Sequence, residues 1–144
     1  MILSQQRKKI RWPLDVAPIL HAILDQEDEI DRNKEHFWCI GLNGRNVIQY
    51  IELASLGIVN RSLVHPREVY RFAVMKGVQA LIVAHNHPSG DTMPSQDDIA
   101  VTRQLYDAGK IIGIKLLDHI IISDDKQRPF YSFLEGGIVL GGTS

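Results

Sequence analysis

Apolar positions recur along this chain with two different periods. Val16, Ile19, Leu20, Ile23 and Leu24 share one face at helical spacing, which predicts a first helix from about Pro13 to Gln26. The charged run Asp25 to Glu35 reads as its solvated end and a connector. His36 to Leu42 predicts a mostly buried strand, Asn43-Gly44 a hairpin turn, and Asn46 to Ala54 the partner strand, with Val47, Ile48, Tyr50 and Ile51 β-prone. Gly57 and Asn60 punctuate the loop that follows. Pro66 is placed to open a helix running to Lys76, with Gly77 as its stop.

Ala80-Leu81-Ile82-Val83-Ala84 is a short continuous apolar run, the signature of a strand buried on both faces. A loop from His85 to Pro94 is expected next. Then come a helix from Ser95 to Gly109 with Ile99, Val101, Thr102 and Leu105 inward, a strand-like stretch Ile111 to Ile122, and a last strand within Phe130 to Phe133. The order α-β-β-α-β-α-β-β indicates an α/β sandwich with a mixed sheet. The expected organisation is one domain: an arm and helix over residues 1–34, a core over 35–134 and a tail over 135–144, loose at its glycine-rich end.

At 144 residues the chain can bury roughly two-thirds of its unfolded surface. The formal net charge of -1 supplies no overall field toward nucleic acid, although Arg7, Lys8, Lys9 and Arg11 form a local basic stretch. Its Gln5 to Lys9 part reads first as a solvated arm. The single cysteine, Cys39, excludes an internal disulfide framework and leaves no Cys-based zinc site. Neither an apolar leader nor a membrane-length apolar stretch is visible, so a cytoplasmic protein without membrane attachment is expected. Trp12 and Trp38 are either core or interface residues, and the sequence leaves the oligomeric state open.

The chemistry concentrates in His85-Asn86-His87-Pro88-Ser89-Gly90-Asp91-Thr92-Met93-Pro94-Ser95-Gln96-Asp97-Asp98. In extended chain, residues i and i+2 point to the same face, so His85 and His87 converge. Imidazole nitrogens are good zinc ligands, and Asp98, in the first turn of the next helix, can supply a third ligand and a negative charge. Three protein ligands leave a fourth tetrahedral position for water, whose pKa zinc lowers to about 7. A blander reading also fits: Ser95 and Asp98 match a capping box and could simply start a helix. Asp91 and Asp97 are rival carboxylates, with Asp91 better explained as a turn residue. His85-Asn86-His87 is not an HNH nuclease signature, whose residues spread over a longer unit.

The pattern H-x-H-x7-S-x2-D, met by His85, His87, Ser95 and Asp98, resembles the JAMM (MPN+) metal motif. Together with Leu117-Asp118-His119 and His65-Pro66-Arg67-Glu68-Val69, it is similar to the bacterial RadC-type JAB domain from about Glu35 to Phe133. The resemblance implies a cytidine-deaminase-like, three-layer α/β/α sandwich. It also implies a metallopeptidase holding one Zn²⁺ per chain on His85, His87 and Asp98 and cleaving peptide or isopeptide bonds, often in ubiquitin-like conjugates. It matches Glu35 to the family's general base, with Glu68 the competing upstream carboxylate, and Ser95 to the family's oxyanion donor. Asp118 and His119 are carried over without a role; structural hydrogen bonding and substrate contact both remain open.

RadC-type proteins are commonly labelled DNA repair factors. The alternative function is therefore a non-catalytic binding module, for nucleic acid or protein, in repair or mobile-element biology. Nucleobase deamination on the same general fold is disfavoured, because that chemistry needs His/Cys/Cys or three Cys with a P-C-x-x-C element, and Cys39 is the single cysteine.

Overall fold

The computed structural model describes residues 2–3, 8–57, 64–123 and 130–138. Six strands form one mixed sheet: β1 (Ile2–Leu3), β2 (Glu35–Leu42), β3 (Ile48–Gly57), β4 (Ala80–His87), β5 (Lys115–Ser123) and β6 (Tyr131–Ser132). Their spatial order is β1-β3-β2-β4-β5-β6, and only β4 and β5 run parallel. A parallel pair needs a crossover, and the helix α4 (Gln96–Ile112) supplies it.

The other helices are α1 (Val16–Asp25), extended at its start by a 3₁₀ turn over Pro13–Asp15, the one-turn α2 (Glu29–Arg32) and α3 (Pro66–Lys76). Strand alternation sends neighbouring side chains to opposite faces, producing two cores. On one face Ile19, Leu20, Ile23 and Leu24 of α1 pack on Trp38, Ile40, Ile82, Ile120 and Ile122. On the other, Val69, Tyr70 and Ala73 of α3 with Val101 and Leu105 of α4 cover Phe37, Cys39, Leu81, Val83 and Leu116. The result is the expected three-layer α/β/α sandwich with a mixed sheet. No helix among the described residues is long and apolar enough to cross a membrane.

Several expected boundaries move. The loop expected from His85 begins later, because β4 continues through His87 and pairs with β5 as far as Ser123. The helix expected to stop at Gly109 continues to Ile112, and β5 starts at Lys115 rather than at Ile111. Gly113, at φ 88°, is the left-handed cap that ends α4. Gly109 answers a different need: a Cβ there would lie 2.4 Å from the Ile114 carbonyl oxygen and 2.5 Å from the Tyr70 hydroxyl.

The hairpin at Asn43-Gly44 is longer than a two-residue turn. The Asn43 side chain accepts from the Arg45 and Val47 amides, and Asn46 takes φ 60° before β3 begins. The N-terminal arm is also more than solvated chain. Lys8 and Lys9 are exposed, but the Ile48 amide donates to the Lys8 carbonyl, Lys9 bridges Val47 and Ile10 is buried. Trp38 is core, whereas Trp12 is 67% exposed. The expectations for Gln5, Gln6, Arg7, Asn60 and the tail glycines Gly141 and Gly142 lie outside the described residues.

Candidate metal centre

The site forms where the C-terminal end of β4 meets the N-terminus of α4. His85 and His87 alternate in phase along β4, so both rings leave the sheet on the α3/α4 side. Ser95 caps α4: its hydroxyl accepts from the Asp98 amide at 3.0 Å, and the Asp98 carboxylate accepts from the Ser95 amide at 2.8 Å. This capping box satisfies two amides and in doing so aims the Asp98 carboxylate back at the strand end. One rotamer of Asp98 therefore both starts the helix and sets its carboxylate beside His85 and His87.

His85 Nε2 lies 2.8 Å from His87 Nε2 and 3.3 Å from Asp98 Oδ1, and His87 Nε2 lies 3.2 Å from Asp98 Oδ2. Ligand atoms about 2.0–2.2 Å from a tetrahedral zinc stand about 3.3–3.6 Å apart. The two His–Asp98 separations, each to a different carboxylate oxygen, are within about 0.1 Å of that spacing, the His–His separation would open by about half an ångström, and one ligand atom from each residue lies within 4.8 Å of the others. Among the described residues no fourth His, Cys, Asp or Glu joins the group.

The donor chemistry also fits a cation. His87 Nδ1 faces the Asp91 carbonyl at 2.6 Å, and a carbonyl can only accept. That contact places the ring hydrogen on Nδ1 and leaves the Nε2 lone pair directed at a carboxylate. A positive charge is what relieves this crowding. Accordingly, the hydrogen bond to Asp98 raises the pKa of His87 above its ordinary value, against burial, with help from the Asp91 carbonyl and the charges of Asp98 and Glu35. Burial opposes the charged form of Asp98, but its contacts with the His85 and His87 rings and a hydrogen bond from the Ser95 amide outweigh it and hold the carboxyl far below the carboxylate range.

Glu35 starts β2, next to β4. The register that pairs Phe37 with His85, continued by two residues, sets Glu35 across from His87. Glu35, His87, Ser95, Asp97 and Asp98 line one open cavity of about 470 Å³ with Pro88 and Ser89. Asn86 points to the opposite face and holds the strand ends together: its side chain accepts from the His36 amide and donates to the Lys34 carbonyl, on either side of Glu35. Glu68 is elsewhere, in the first turn of α3, paired with Arg67 and Arg71. The Asp91 carboxylate accepts from the Met93 amide, as a turn residue does.

Asp118 and His119 part company, as neighbours on a strand must. Asp118 is buried and accepts from the Ser132 hydroxyl and from the His119 and Leu134 amides, anchoring β6. His119 is buried behind His85, with Nε2 2.7 Å from His85 Nδ1. Burial, reinforced by His85, pushes the His119 pKa well below its ordinary value. The functional surroundings that the sequence pattern did not single out are Asn86 and Thr102. Both read as parts of an element, with no chemistry in their spacing.

The family profile of the RadC-like JAB domain matches residues 10–138, so the match takes in α1 and begins upstream of the motif-bearing region. The chain is 45% identical over 117 residues to a protein named UPF0758 from Desulforudis audaxviator, covering 81% of this chain and 49% of that one. A UPF0758 protein of Moorella thermoacetica is 48% identical over 120 residues, covering 83% and 50%. One from Desulforamulus reducens is 42% identical over 136 residues, covering 94% and 56%. The chain thus spans about half the length of these curated relatives.

Proposed function

The chain belongs to the RadC-like JAB domain family, and from that premise we propose that it is a zinc-dependent hydrolase of peptide or isopeptide bonds. The observation that carries this reading is the spacing of the His85, His87 and Asp98 donors, 2.8–3.3 Å apart, beside a separate carboxylate, Glu35, on the same cavity. Those three residues would hold the ion. Zinc, when bound, supplies a Lewis acid and makes hydroxide accessible near neutral pH.

The chain's own residues do the rest. Glu35 takes a proton at its carboxylate from the attacking water and returns it to the departing amine, which converts a poor leaving group into a good one. Asn86 holds the backbone on either side of Glu35 at the strand end. Ser95 Oγ accepts from the Asp98 amide, which leaves its hydroxyl hydrogen to donate to the carbonyl oxygen as negative charge develops there. An open cavity suits an extended peptide or the tail of a conjugated protein better than an enclosed small molecule.

The test is hydrolysis of a fluorogenic peptide library and of isopeptide-linked ubiquitin-like conjugates by zinc-loaded protein, beside Glu35→Gln. The expected result is cleavage by the wild type, a loss of about 10²–10⁴-fold in Glu35→Gln, and equal zinc content in both. Cleavage by Glu35→Gln at the wild-type rate would contradict the assignment.

A further inference from the structure

Behind the proposed ligands runs a chain of hydrogen bonds from the backbone of Asp98 to the ring of His85. Thr102 Oγ1 lies 2.6 Å from the Asp98 main-chain carbonyl and 2.5 Å from His119 Nδ1, and His119 Nε2 lies 2.7 Å from His85 Nδ1. The direction of every proton in it follows from one acceptor. A carbonyl only accepts, so the Thr102 hydroxyl gives its single hydrogen to Asp98. Thr102 Oγ1 then has only lone pairs for His119, and His119 Nδ1 must carry the hydrogen. The His119 residue is 1% exposed, and Thr102 and His85, the partners of its two nitrogens, carry no negative charge, so burial favours its neutral form. Its Nε2 is therefore an acceptor, and His85 must donate from Nδ1. The remaining nitrogen of His85, Nε2, is left with a bare lone pair facing Asp98 and His87.

We propose that Thr102 and His119 are positioning residues that lock His85 in the Nδ1–H tautomer, presenting Nε2 as a ligand to a divalent cation. This rests on the reading that His85, His87 and Asp98 hold that cation. The relay ties two of the three ligands together, since it begins on the backbone of Asp98 and ends on the ring of His85. The aromatic surroundings keep the relay dry and fixed: Phe133 stacks on His119 at 4.6 Å between centroids and 7° between planes, and Phe37 meets its edge at 5.9 Å. Ligating imidazoles generally donate their second nitrogen to a carbonyl or carboxylate. Here a second, non-ligating imidazole takes that place.

The proton order makes a sharp prediction for Thr102→Val. Without the hydroxyl, His119 Nδ1–H has no acceptor, so the favoured tautomer of His119 becomes Nε2–H. That hydrogen points at His85 Nδ1 and drives the His85 proton to Nε2, the nitrogen needed for the metal. Thr102→Ser keeps the hydroxyl and restores the order. Two readouts test this, neither of which is catalysis. The first is the imidazole ¹⁵N shifts of metal-free protein. His85 is expected as Nδ1–H in the wild type and in Thr102→Ser, and as Nε2–H in Thr102→Val. The second is zinc affinity by competition with a chromophoric chelator, expected to fall about 10–100-fold in Thr102→Val and in His119→Phe and to return in Thr102→Ser. His119→Phe keeps the stacking on Phe133, so it serves if Thr102→Val fails to fold.

Wild-type His85 found as Nε2–H, or unchanged affinity in both Thr102→Val and His119→Phe, would overturn the proposal. A wild type that binds no zinc but shows His85 as Nδ1–H would instead remove the metal reading and leave the tautomer lock standing.

Discussion

Adjacent residues on one strand take on unrelated tasks because a strand presents successive side chains to opposite faces. His119 looks toward His85 and Asp118 toward β6, and burial disfavours the charged form of both, raising the pKa of the acid and lowering that of the base. Burial raises the pKa of Asp118 above the ordinary carboxyl value, although three hydrogen bonds to the carboxylate pull the other way. A folded-state value above the unfolded one means that Asp118 contributes most to stability below pH 3.8, and that this contribution is lost as pH rises through the raised value. Asp118→Asn keeps an acceptor for the two amides and cannot ionise. The wild-type stability minus that of Asp118→Asn is therefore expected to fall as pH rises above about 4, measured by urea unfolding at intervals from pH 4 to pH 7. A difference that stays flat or rises would refute it. At this scale the sequence showed the two histidines and the aspartate, because their spacing on a strand and in a first helical turn is itself geometric information. Thr102 was legible only as an inward helix position, since the partner that gives it meaning, His119, comes from a different element.

Among the elements, α4 shows where local pattern is ambiguous. Gly109 and Gly113 are both credible stops by composition, and only tertiary packing separates them. Gly113 adopts the left-handed conformation of a cap, while Gly109 sits inside the helix because Tyr70 and the Ile114 backbone leave no room for a side chain. Gly109→Ala should therefore destabilise the protein: overpacking against a backbone carbonyl costs about 1–3 kcal/mol, which exceeds the roughly 1 kcal/mol of helix propensity gained. Equilibrium denaturation measures the sign directly, and an unchanged or more stable Gly109→Ala would show that the close approach is relieved without cost. The same dependence on tertiary context explains β4. Its apolar run ends at Ala84, yet the strand continues through polar His85, Asn86 and His87, because the pairing with β5 and the Asn86 contacts to the start of β2 extend it.

Among the described residues the sheet holds one parallel pair, β4 and β5, between β2 and β6, and the candidate site lies where that pair's crossover helix begins. Ligand sites in mixed α/β sheets favour this place, since strand ends and a helix N-terminus converge there. The layering was legible because the apolar runs of β2 and β4 require cover on both faces. Of the short outer strands, β6 falls within the stretch Phe130 to Phe133 read as a strand, whereas β1 was not legible: it carries two residues and is held by pairing with β3 rather than by any pattern of its own. The sequence resemblance already favoured Glu35 over Glu68, and the β2–β4 register, continued two residues beyond the Phe37–His85 pair, sets Glu35 across from His87. The most direct test of the central claim is a crystal structure of zinc-loaded protein with the metal located by its anomalous signal. The account predicts one zinc per chain on His85, His87 and Asp98 at about 2.0–2.2 Å, with solvent at the fourth position within hydrogen-bond reach of Glu35. A zinc bound elsewhere, or a fourth protein side chain closing that position, would contradict it.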